Sequence, residues 1–482
     1  MKKLLVFTSC CLFVMCGTSK EDTNNKNVPD PVVPESGTLS EQNLVRAMQI
    51  ADSAMTAHFT GSGMAMARFY NPYTGVRSTE KGSIWMYTSA IEAVNTILHA
   101  LNACKEHGKP ELYNAHFARY VDLLARLYDN ADYYLGTFTH TSYTQTRQWS
   151  VHGVDRAESK GAARVEGIYN VYDDQQWVIR ELVRSYKITG EKAYLDKAEY
   201  LTEYVLDGWD CTRDASGNER GGITWGPGYV SKHSCSNGSI VSPLVWLHEI
   251  YKGKDDEIEY RYIDANDKKT RRMQRRKKAD HYLDFSGKIY AWLKQYLLRA
   301  DGVYDDLIGG CTPDPVATEV IDGVTYRQGI DCPHRVGPAY SYNSGAMISG
   351  AADLYRVTST ASYLVDAKKL SDNSFSYFAK LGATVAGYYT YDISGFNNCF
   401  NGVLLRGYLD VYPTYKNVAV CINSFQQNLD YAYSNFFYKG FLPTNLLLGW
   451  SRSGNENNNL EGMFTFTFAA EYAVLAQYEL GK

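Results

Sequence analysis

The helical hairpin that decides the fold occurs twice in the chain, first as Leu182-Val183-Arg184-Ser185-Tyr186-Lys187-Ile188-Thr189-Gly190 and later as Leu354-Tyr355-Arg356-Val357-Thr358-Ser359. In each copy an apolar helical run ends in a short polar turn. The next run starts within a few residues, at Tyr194-Leu195 or at Tyr363-Leu364. Gly190 fits the left-handed position that ends many helices. Because one hairpin cannot bury its apolar face alone, we expect a stack of such hairpins.

Amphipathic helical patterns continue along most of the chain, and the fold class is therefore all-α. One strand is predicted at 323–326, as an arm of a small hairpin. Six antiparallel helix pairs can close into an (α/α)6 barrel or stack in an open superhelix, and periodicity does not separate the two. The twelve predicted helices begin near Ser40, Gly82, Pro110, Asp174, Glu191, Ser236, Lys277, Asn343, Ala361, Phe400, Asn417 and Leu460.

The composition argues against nucleic acid as a ligand and is compatible with sugars. The 482 residues carry a net charge of −4, so no basic field favours nucleic acid. The one basic cluster, Lys268 to Lys278, follows acidic sequence and is interpreted as a solvated helix face or an insertion. The chain contains 40 tyrosines and 8 tryptophans, which is many for its length. Aromatic rings stack on the apolar faces of sugars, although most of these rings are expected to pack between helices.

The N-terminus has the pattern of an export signal. Lys2-Lys3 precedes the apolar run from Leu4 to Met15, which is too short to span a membrane. Since the run ends at Cys16-Gly17, we predict a lipoprotein signal peptide at 1–15 with Cys16 as the lipidated residue. Polar sequence at 16–38 is predicted to be a flexible tether. We therefore expect an exported protein, anchored by lipid to the outer membrane, at its surface or periplasmic face.

Cysteine and histidine spacing gives no metal motif. Seven cysteines follow Cys16, and neither a CxxC nor an HExxH pattern occurs. Because the number is odd, at least one thiol is free or pairs outside the chain. Cys311 and Cys332 bracket an insertion that contains proline and glycine, and they are the predicted disulfide. No metal or organic cofactor is expected.

A pair of adjacent carboxyl groups lies in the segment Tyr169-Asn170-Val171-Tyr172-Asp173-Asp174-Gln175-Gln176-Trp177. Two neighbouring aspartates repel each other when both are ionised, so one keeps its proton to higher pH. An ionised carboxylate beside a protonated one is the pairing that glycoside hydrolysis requires. The competing interpretation is a helix cap, because aspartate is a favoured N-cap residue.

A series of short motifs resembles the endo-acting α-1,6-mannanases of glycoside hydrolase family 76. The segment 172–177 is similar to the catalytic segment of the family, in which two aspartates are followed by tryptophan. The other motifs appear in the family's order along the chain: Gly221-Gly222-Ile223-Thr224-Trp225, Ser236-Asn237-Gly238, Gly302-Val303-Tyr304-Asp305-Asp306, Tyr340-Ser341-Tyr342-Asn343-Ser344-Gly345 and Asn401-Gly402-Val403. Each motif is weak alone, but their order and spacing together are fairly specific.

The resemblance implies an (α/α)6 barrel over residues 39–482 and a retaining hydrolase acting on α-mannan, as polysaccharide or oligosaccharide. It assigns Asp173 as nucleophile and Asp174 as general acid/base, although the sequence itself does not say which aspartate does which. Two carboxyl groups suffice for this reaction, so the resemblance implies no cofactor. The substrate-binding candidates are Trp85, Tyr172, Trp225, Asn237, Asp305, Asp306, Tyr342 and Asn343. Packing and helix capping are the competing roles for these side chains.

Two stretches, Asp255 to Lys278 and Cys311 to Arg335, depart from the family pattern and are predicted insertions. They can lengthen or block the groove or bring in a partner, which leaves endo action open. Two other functions remain at this point. One is a non-catalytic glycan-binding lipoprotein, which shares the signal, the helices and the aromatic residues. The other is a hydrolase of the same barrel with different specificity, such as another α-mannosidase or an unsaturated-uronide hydrolase.

Overall fold

Six helices form a closed inner ring in the computed structural model, which describes residues 37–482. In order around the ring they are α2 (Ile84–Glu106), α4 (Tyr172–Thr189), α6 (Cys235–Tyr251), α8 (Ser341–Thr358), α10 (Asn397–Val411) and α12 (Gly462–Leu480). Six outer helices surround them: α1 (Leu39–His58), α3 (Glu111–Ala131), α5 (Lys192–Asp207), α7 (Lys278–Tyr296), α9 (Ala361–Phe378) and α11 (Ala419–Phe436).

The ring is closed by the two ends of the described chain. Each inner helix packs against the next, and α12 packs against both α2 and α1. An open superhelix would leave its first and last helices apart, so the (α/α)6 barrel of six helical hairpins is confirmed. The predicted signal peptide 1–15, Cys16 and the predicted tether 16–38, apart from its last two residues, lie outside the described residues.

The helices begin where the sequence predicts them, each within three residues of the expected start. Both copies of the hairpin that decides the fold are inner-to-outer turns, one joining α4 to α5 and the other α8 to α9. Gly190 ends α4 with φ 74°, in the left-handed region that glycine adopts without strain. Ser359 plays the same part after α8, with φ 57°.

Inner helices are buried over most of their surface, which explains why their apolar residues exceed a single stripe. In α12 the alternate residues Phe464, Phe466 and Phe468 are all buried. Outer helices keep one polar face; in α3, for example, Tyr120, Leu124 and Leu127 are buried, whereas Asp122, Ala125 and Arg126 are exposed. Within residues 37–482, no helix has the length and apolar character needed to cross a bilayer.

The loops between helices contain short strands. They are β1 (Phe59–Thr60), β2 (Ala65–Met66), β3 (Phe69–Tyr70), β4 (Leu135–Thr141), β5 (Thr146–His152), β6 (Lys232–His233), β7 (Glu257–Ile263), β8 (Arg271–Lys277), β9 (Leu307–Gly309), β10 (Thr318–Ile321), β11 (Val324–Arg327), β12 (His334–Val336), β13 (Lys380–Leu381), β14 (Tyr389–Thr390) and β15 (Leu460–Glu461). The predicted arm at 323–326 belongs to the β10–β11 hairpin. The predicted disulfide Cys311–Cys332 is present, with a Cα–Cα distance of 4.1 Å.

The basic cluster of Lys268 to Lys278 is not a helix face, and that interpretation is wrong. Most of it forms β8, which pairs with β7 in a hairpin. The interpretation as an insertion stays a prediction. Alternation of side chains along the strand places its cations beside acidic partners of the same hairpin. Arg275 lies 3.0 Å from Glu257, and Lys277 lies 3.0 Å from Asp255.

Candidate active site

A cavity of about 740 Å³ opens at the end of the barrel where the inner helices begin. Five inner helices contribute residues from their first turns, namely Trp85, Asp173, Cys235, Tyr342 and Phe400. We call this cavity the aspartate mouth. Its lining contains the carboxyl groups of Asp155, Asp173, Asp174 and Asp306, and among the described residues that line it none is lysine or arginine. Helix N-termini carry partial positive charge, which stabilises carboxylates placed there.

Asp173 and Asp174 lie in the first turn of α4, but neither caps the helix. The N-cap residue is Val171, and no side chain forms the cap hydrogen bond. The capping interpretation of the pair is therefore wrong. Both carboxyl groups instead line the aspartate mouth.

The two aspartates hold their protons unequally. Burial raises the pKa of Asp174 well above its usual range, and the neighbouring charge of Asp173 raises it further. Burial also raises the pKa of Asp173, to about 6, but the Cys235 thiol, nearby backbone N–H groups and the Trp225 indole pull it back down. These opposing influences favour an ionised Asp173 beside a protonated Asp174 when the pair carries one proton.

The loop that carries Trp225 is fastened to the start of α4, because the backbone N–H of Tyr172 donates to the Trp225 carbonyl at 2.7 Å. Gly222 in the same loop has φ 75°, and a Cβ there would come within 2.4 Å of the Trp292 ring. The glycine of the motif is thus required by both conformation and space. Asp173 Oδ1 and Trp225 Nε1 are both buried without a hydrogen bond of ordinary geometry. Such atoms are expected to bind a ligand that enters the cavity.

Aromatic rings form the walls on either side of the aspartates. Trp225 stacks on His233 with ring centroids 4.9 Å apart, and Tyr342 stacks on Phe400 at 4.0 Å. Trp85 meets a neighbouring phenylalanine edge-on at 5.0 Å. Rings with one open face beside carboxyl groups are suited to bind sugars, whose faces are apolar and whose rims carry hydroxyls.

The second acidic pair is divided by the fold. Asp306 lines the aspartate mouth, whereas Asp305 does not, and the Asp305 carboxylate lies 3.4 Å from Arg299. Ser234 sets this orientation by donating to both backbone carbonyls, at 2.6 Å from Asp305 and 2.7 Å from Asp306. Burial raises the pKa of Asp306 to about 6, while the nearby Asn343 amide lowers it and Asp305 raises it slightly.

Of the predicted substrate-binding side chains, Trp85, Trp225, Asp306 and Tyr342 meet the two aspartates on the cavity wall, whereas Tyr172, Asn237, Asp305 and Asn343 do not line it. Asn237 is fully buried, and its amide both accepts from the Ile223 N–H and donates to the Ile223 carbonyl, each at 2.8 Å. It therefore holds the Trp225 loop against α6. Tyr172 is fully buried behind the aspartates, with its ring 5.1 Å from Tyr204.

Several lining residues have no counterpart among the predicted ones: Asp155, Tyr229, His233, Cys235, Phe396 and Phe400. Most of them immediately precede or begin an inner helix. The available signal was position, because residues just before each inner helix start converge at one end of the barrel. Among residues 37–482, no group of three or more histidine, cysteine or acidic side chains is arranged to hold a metal ion.

Residues 269–474 match the sequence profile of Glycosyl hydrolase family 76. The match covers less than half of the chain, and over that part the chain is similar to glycoside hydrolase family 76. The matched segment holds α7 to α11 and most of α12, so Asp173 and Asp174 lie outside it. No curated protein is similar enough in sequence to give a match.

Solved structures of family 76 enzymes share the fold of this glycoside hydrolase. A mannosidase of Bacteroides thetaiotaomicron has a TM-score of 0.65 and 18% identity, over 91% of this chain and 99% of its own. An α-1,6-mannanase of Salegentibacter has a TM-score of 0.58 and 17% identity, over 92% of this chain and 100% of its own. An inactive variant of the latter, with two consecutive aspartates replaced by alanine, was solved in complex with an α-1,6-linked mannotetraose.

Proposed function

We propose that this protein is a family 76 hydrolase, and specifically a retaining, endo-acting α-1,6-mannanase in which Asp173 is the nucleophile and Asp174 the general acid/base. The observation that carries the proposal is the position of two adjacent carboxyl groups on one cavity wall, in surroundings that raise the pKa of Asp174 more than that of Asp173. A nucleophile must be ionised and an acid must hold its proton, and the surroundings of the pair produce that division.

The reaction follows from those two states. The Asp173 carboxylate attacks the anomeric carbon, the glycosidic C–O bond breaks, and the proton of Asp174 moves to the leaving oxygen. This step leaves a mannosyl ester on Asp173 and an ionised Asp174. Asp174 then takes a proton from water, whose oxygen attacks the same carbon and releases Asp173. Two displacements at one carbon retain its configuration.

Substrate choice is supported by a relative rather than by a ligand in this chain. The Salegentibacter variant that binds α-1,6-mannotetraose is inactive without two consecutive aspartates. Here Asp173 and Asp174 are also consecutive and lie on an aromatic cavity within the same fold. We therefore assign mannan or its oligosaccharides, joined by α-1,6 linkages, as substrate.

The test is the release of reducing ends from linear α-1,6-mannan by Asp173→Asn and Asp174→Asn. We expect both variants to lose activity while remaining folded. Asp256→Asn is the matched control. Asp256 also belongs to a pair of adjacent aspartates, but it is exposed and does not line the aspartate mouth. Full activity in both cavity variants would refute the assignment. Binding of mannan by the wild-type protein without any product would instead favour a non-catalytic glycan-binding protein.

Endo action and linkage are tested by the products. An endo enzyme releases oligosaccharides of mixed length early in the reaction, whereas an exo enzyme releases one small product throughout. A panel of α-1,2-, α-1,3- and α-1,6-linked mannans and an unsaturated uronide addresses specificity. Preference for any other substrate would refute the α-1,6 assignment while leaving the roles of the aspartates intact.

We also propose that the enzyme is exported and held at the outer membrane by a lipid on Cys16, a residue outside the described part of the chain. The support is the sequence pattern of 1–17 alone. Metabolic labelling with a radioactive fatty acid should mark the wild-type protein and leave Cys16→Ser unlabelled. Equal labelling of the two would contradict the anchor.

A further inference from the structure

A second cavity, of about 480 Å³, opens at the opposite end of the barrel, where the inner helices finish. Its lining holds five cationic side chains and a single carboxylate: Arg180, Arg184, Lys187, Arg406, Lys416 and Asp410. We call this cavity the basic mouth. No step of the hydrolysis uses it, since the aspartates lie at the far ends of the same helices.

The three arginines form the deeper layer and are partly neutralised. Arg180 and Arg184 share the buried carboxylate of Glu181, which lies 2.9 Å from Arg184 and in hydrogen-bond contact with Arg180. Arg406 forms an ion pair with Glu92. Together with Asp410, these carboxylates balance the three guanidinium groups. Each guanidinium has five N–H donors, so donors remain beyond those used in the ion pairs.

The two lysines form the rim and bring the excess positive charge. Lys416 lies 3.6 Å from the centre of the Tyr412 ring, and Lys187 lies 5.4 Å from that of Trp246. In the described part of the chain, neither lysine forms an ion pair with a carboxylate. The lysines are exposed to solvent while the arginines are mostly buried. Burial lowers the pKa of Lys187, while the charges of Glu249 and Asp353 act in the opposite sense. The basic mouth therefore carries a smaller excess of positive charge than its two lysines alone would give.

Compensation of helix dipoles does not account for this arrangement. The partial negative charge at a helix C-terminus acts within the last turn. Arg180 and Arg184 lie nine and five residues before the end of α4 at Thr189, and Arg406 lies five residues before the end of α10 at Val411. Lys187 alone is in a last turn. The cations are concentrated around a concave space rather than distributed over the helix ends.

We propose that the basic mouth binds a phosphate group, either as inorganic phosphate or as the monoester of a small sugar. A phosphate anion is opposite in sign to the excess charge, and its oxygens accept from planar guanidinium groups and from lysine ammonium groups at once. The concave shape suits a compact anion. An extended basic stripe, as nucleic acid requires, is absent from this concave end of the described barrel.

Calorimetric titration at low ionic strength tests the proposal, with inorganic phosphate, a hexose 6-phosphate and the neutral hexose as probes. We expect saturable binding of at least one phosphate compound and none of the neutral hexose. If the ester binds more tightly than inorganic phosphate, the sugar is part of the ligand; if the order is reversed, free phosphate is. Equal binding of the neutral hexose, or no saturable binding of either phosphate compound up to about 10 mM, would overturn the proposal.

The double variant Lys187→Gln/Lys416→Gln should weaken phosphate binding about tenfold or more, the loss expected for charge-assisted hydrogen bonds. Both lysines are exposed, so the barrel should stay intact. Lys369→Gln, which removes an exposed lysine of the outer helix α9, is the matched control and should bind like the wild type. Unchanged affinity in the double variant would place the phosphate elsewhere and overturn the proposal.

Discussion

The aspartate mouth and the basic mouth are the two ends of the same six inner helices, and they differ in sign and in pairing. Carboxyl groups line the first and cations line the second. At the basic mouth the deep charges have partners, as in the contact of Glu181 with Arg184 at 2.9 Å. At the aspartate mouth no cation offsets Asp173 and Asp174, so burial acts on them directly and raises their pKa values. One end is thus built for stability and anion binding, and the other for chemistry.

The largest expected effect separates carboxyl groups at the two mouths. Asp174→Asn should lower kcat on α-1,6-mannan by about 10³-fold or more, because the leaving oxygen loses its proton donor. Asp410→Asn, at the basic mouth, should leave kcat unchanged. With an aryl mannoside whose phenol leaves without protonation, Asp174→Asn should recover much of the first step, as burst kinetics would show. Failure of the acidic leaving group to rescue it would contradict the acid role.

Removing a buried carboxyl group should change the free energy of unfolding in opposite directions at the two ends of the barrel. Glu181→Ala strips a nearly buried carboxylate from two arginines, and we expect the free energy of unfolding to fall by about 3–5 kcal/mol. Asp173→Asn removes an unpaired buried charge and should raise it at pH 7 by about 1–3 kcal/mol. Urea denaturation of both variants checks these signs.

The gain in stability expected for Asp173→Asn depends on pH. The folded protein holds the Asp173 proton up to a pKa of about 6, whereas the unfolded chain releases it near its ordinary value of about 4. Wild-type stability therefore falls as the pH rises through that range, and the gain in Asp173→Asn should vanish below it. A gain that persists at acid pH would contradict the electrostatic cause.

Aromatic residues should differ between the mouths in substrate binding. Tyr342→Ala removes a ring stacked on Phe400 at 4.0 Å in the cavity wall and should raise KM about tenfold. Trp246→Ala removes a ring at the basic mouth and should leave KM for mannan unchanged. Initial rates across a range of mannan concentrations measure both. An equal rise in KM in the two variants would contradict a contact with substrate that is specific to the aspartate mouth.

The smallest expected effect concerns the thiol beside Asp173. Cys235→Ala removes a group that lowers the pKa of this carboxyl, so the acid limb of the kcat/KM profile should move to higher pH, by about half a unit. Activity needs Asp173 ionised, which gives the shift its sign. Cys104→Ala, at another buried free cysteine, should not move the limb. A shift to lower pH in Cys235→Ala would contradict the assignment of the thiol.

The helices were predictable because caps and apolar periodicity are local. Gly190 ends α4 through its own conformation, which the sequence alone signals. Part of the β7–β8 hairpin was mistaken for a helix face because its charged residues show neither the helical nor the strand periodicity clearly. The strand forms only through its pairing with β7, which local sequence does not reveal. The location of the twelve helices was therefore available from sequence, whereas the strands in the loops were largely not.

Side-chain direction was the part of the site that sequence did not reveal. Asp305 and Asp306 are adjacent and chemically identical, and Ser234, some seventy residues earlier, decides which one faces the cavity. The basic mouth shows the same limit. Arg180, Arg184 and Lys187 recur at helical spacing and so share one face of α4, but nothing local connects them with Arg406 or Lys416.

The closure of the ring by α12, which packs against α2 and α1, has a consequence for how the enzyme is made. The contact joins segments about four hundred residues apart, so its loop-closure entropy is large and we expect it to form late in folding. Until α12 docks, the other five inner helices form only an open arc, and the first turns that bear Trp85 and Phe400 are not held at their working distance. We therefore expect a chain emerging from the ribosome to be inactive until α12 has been synthesised.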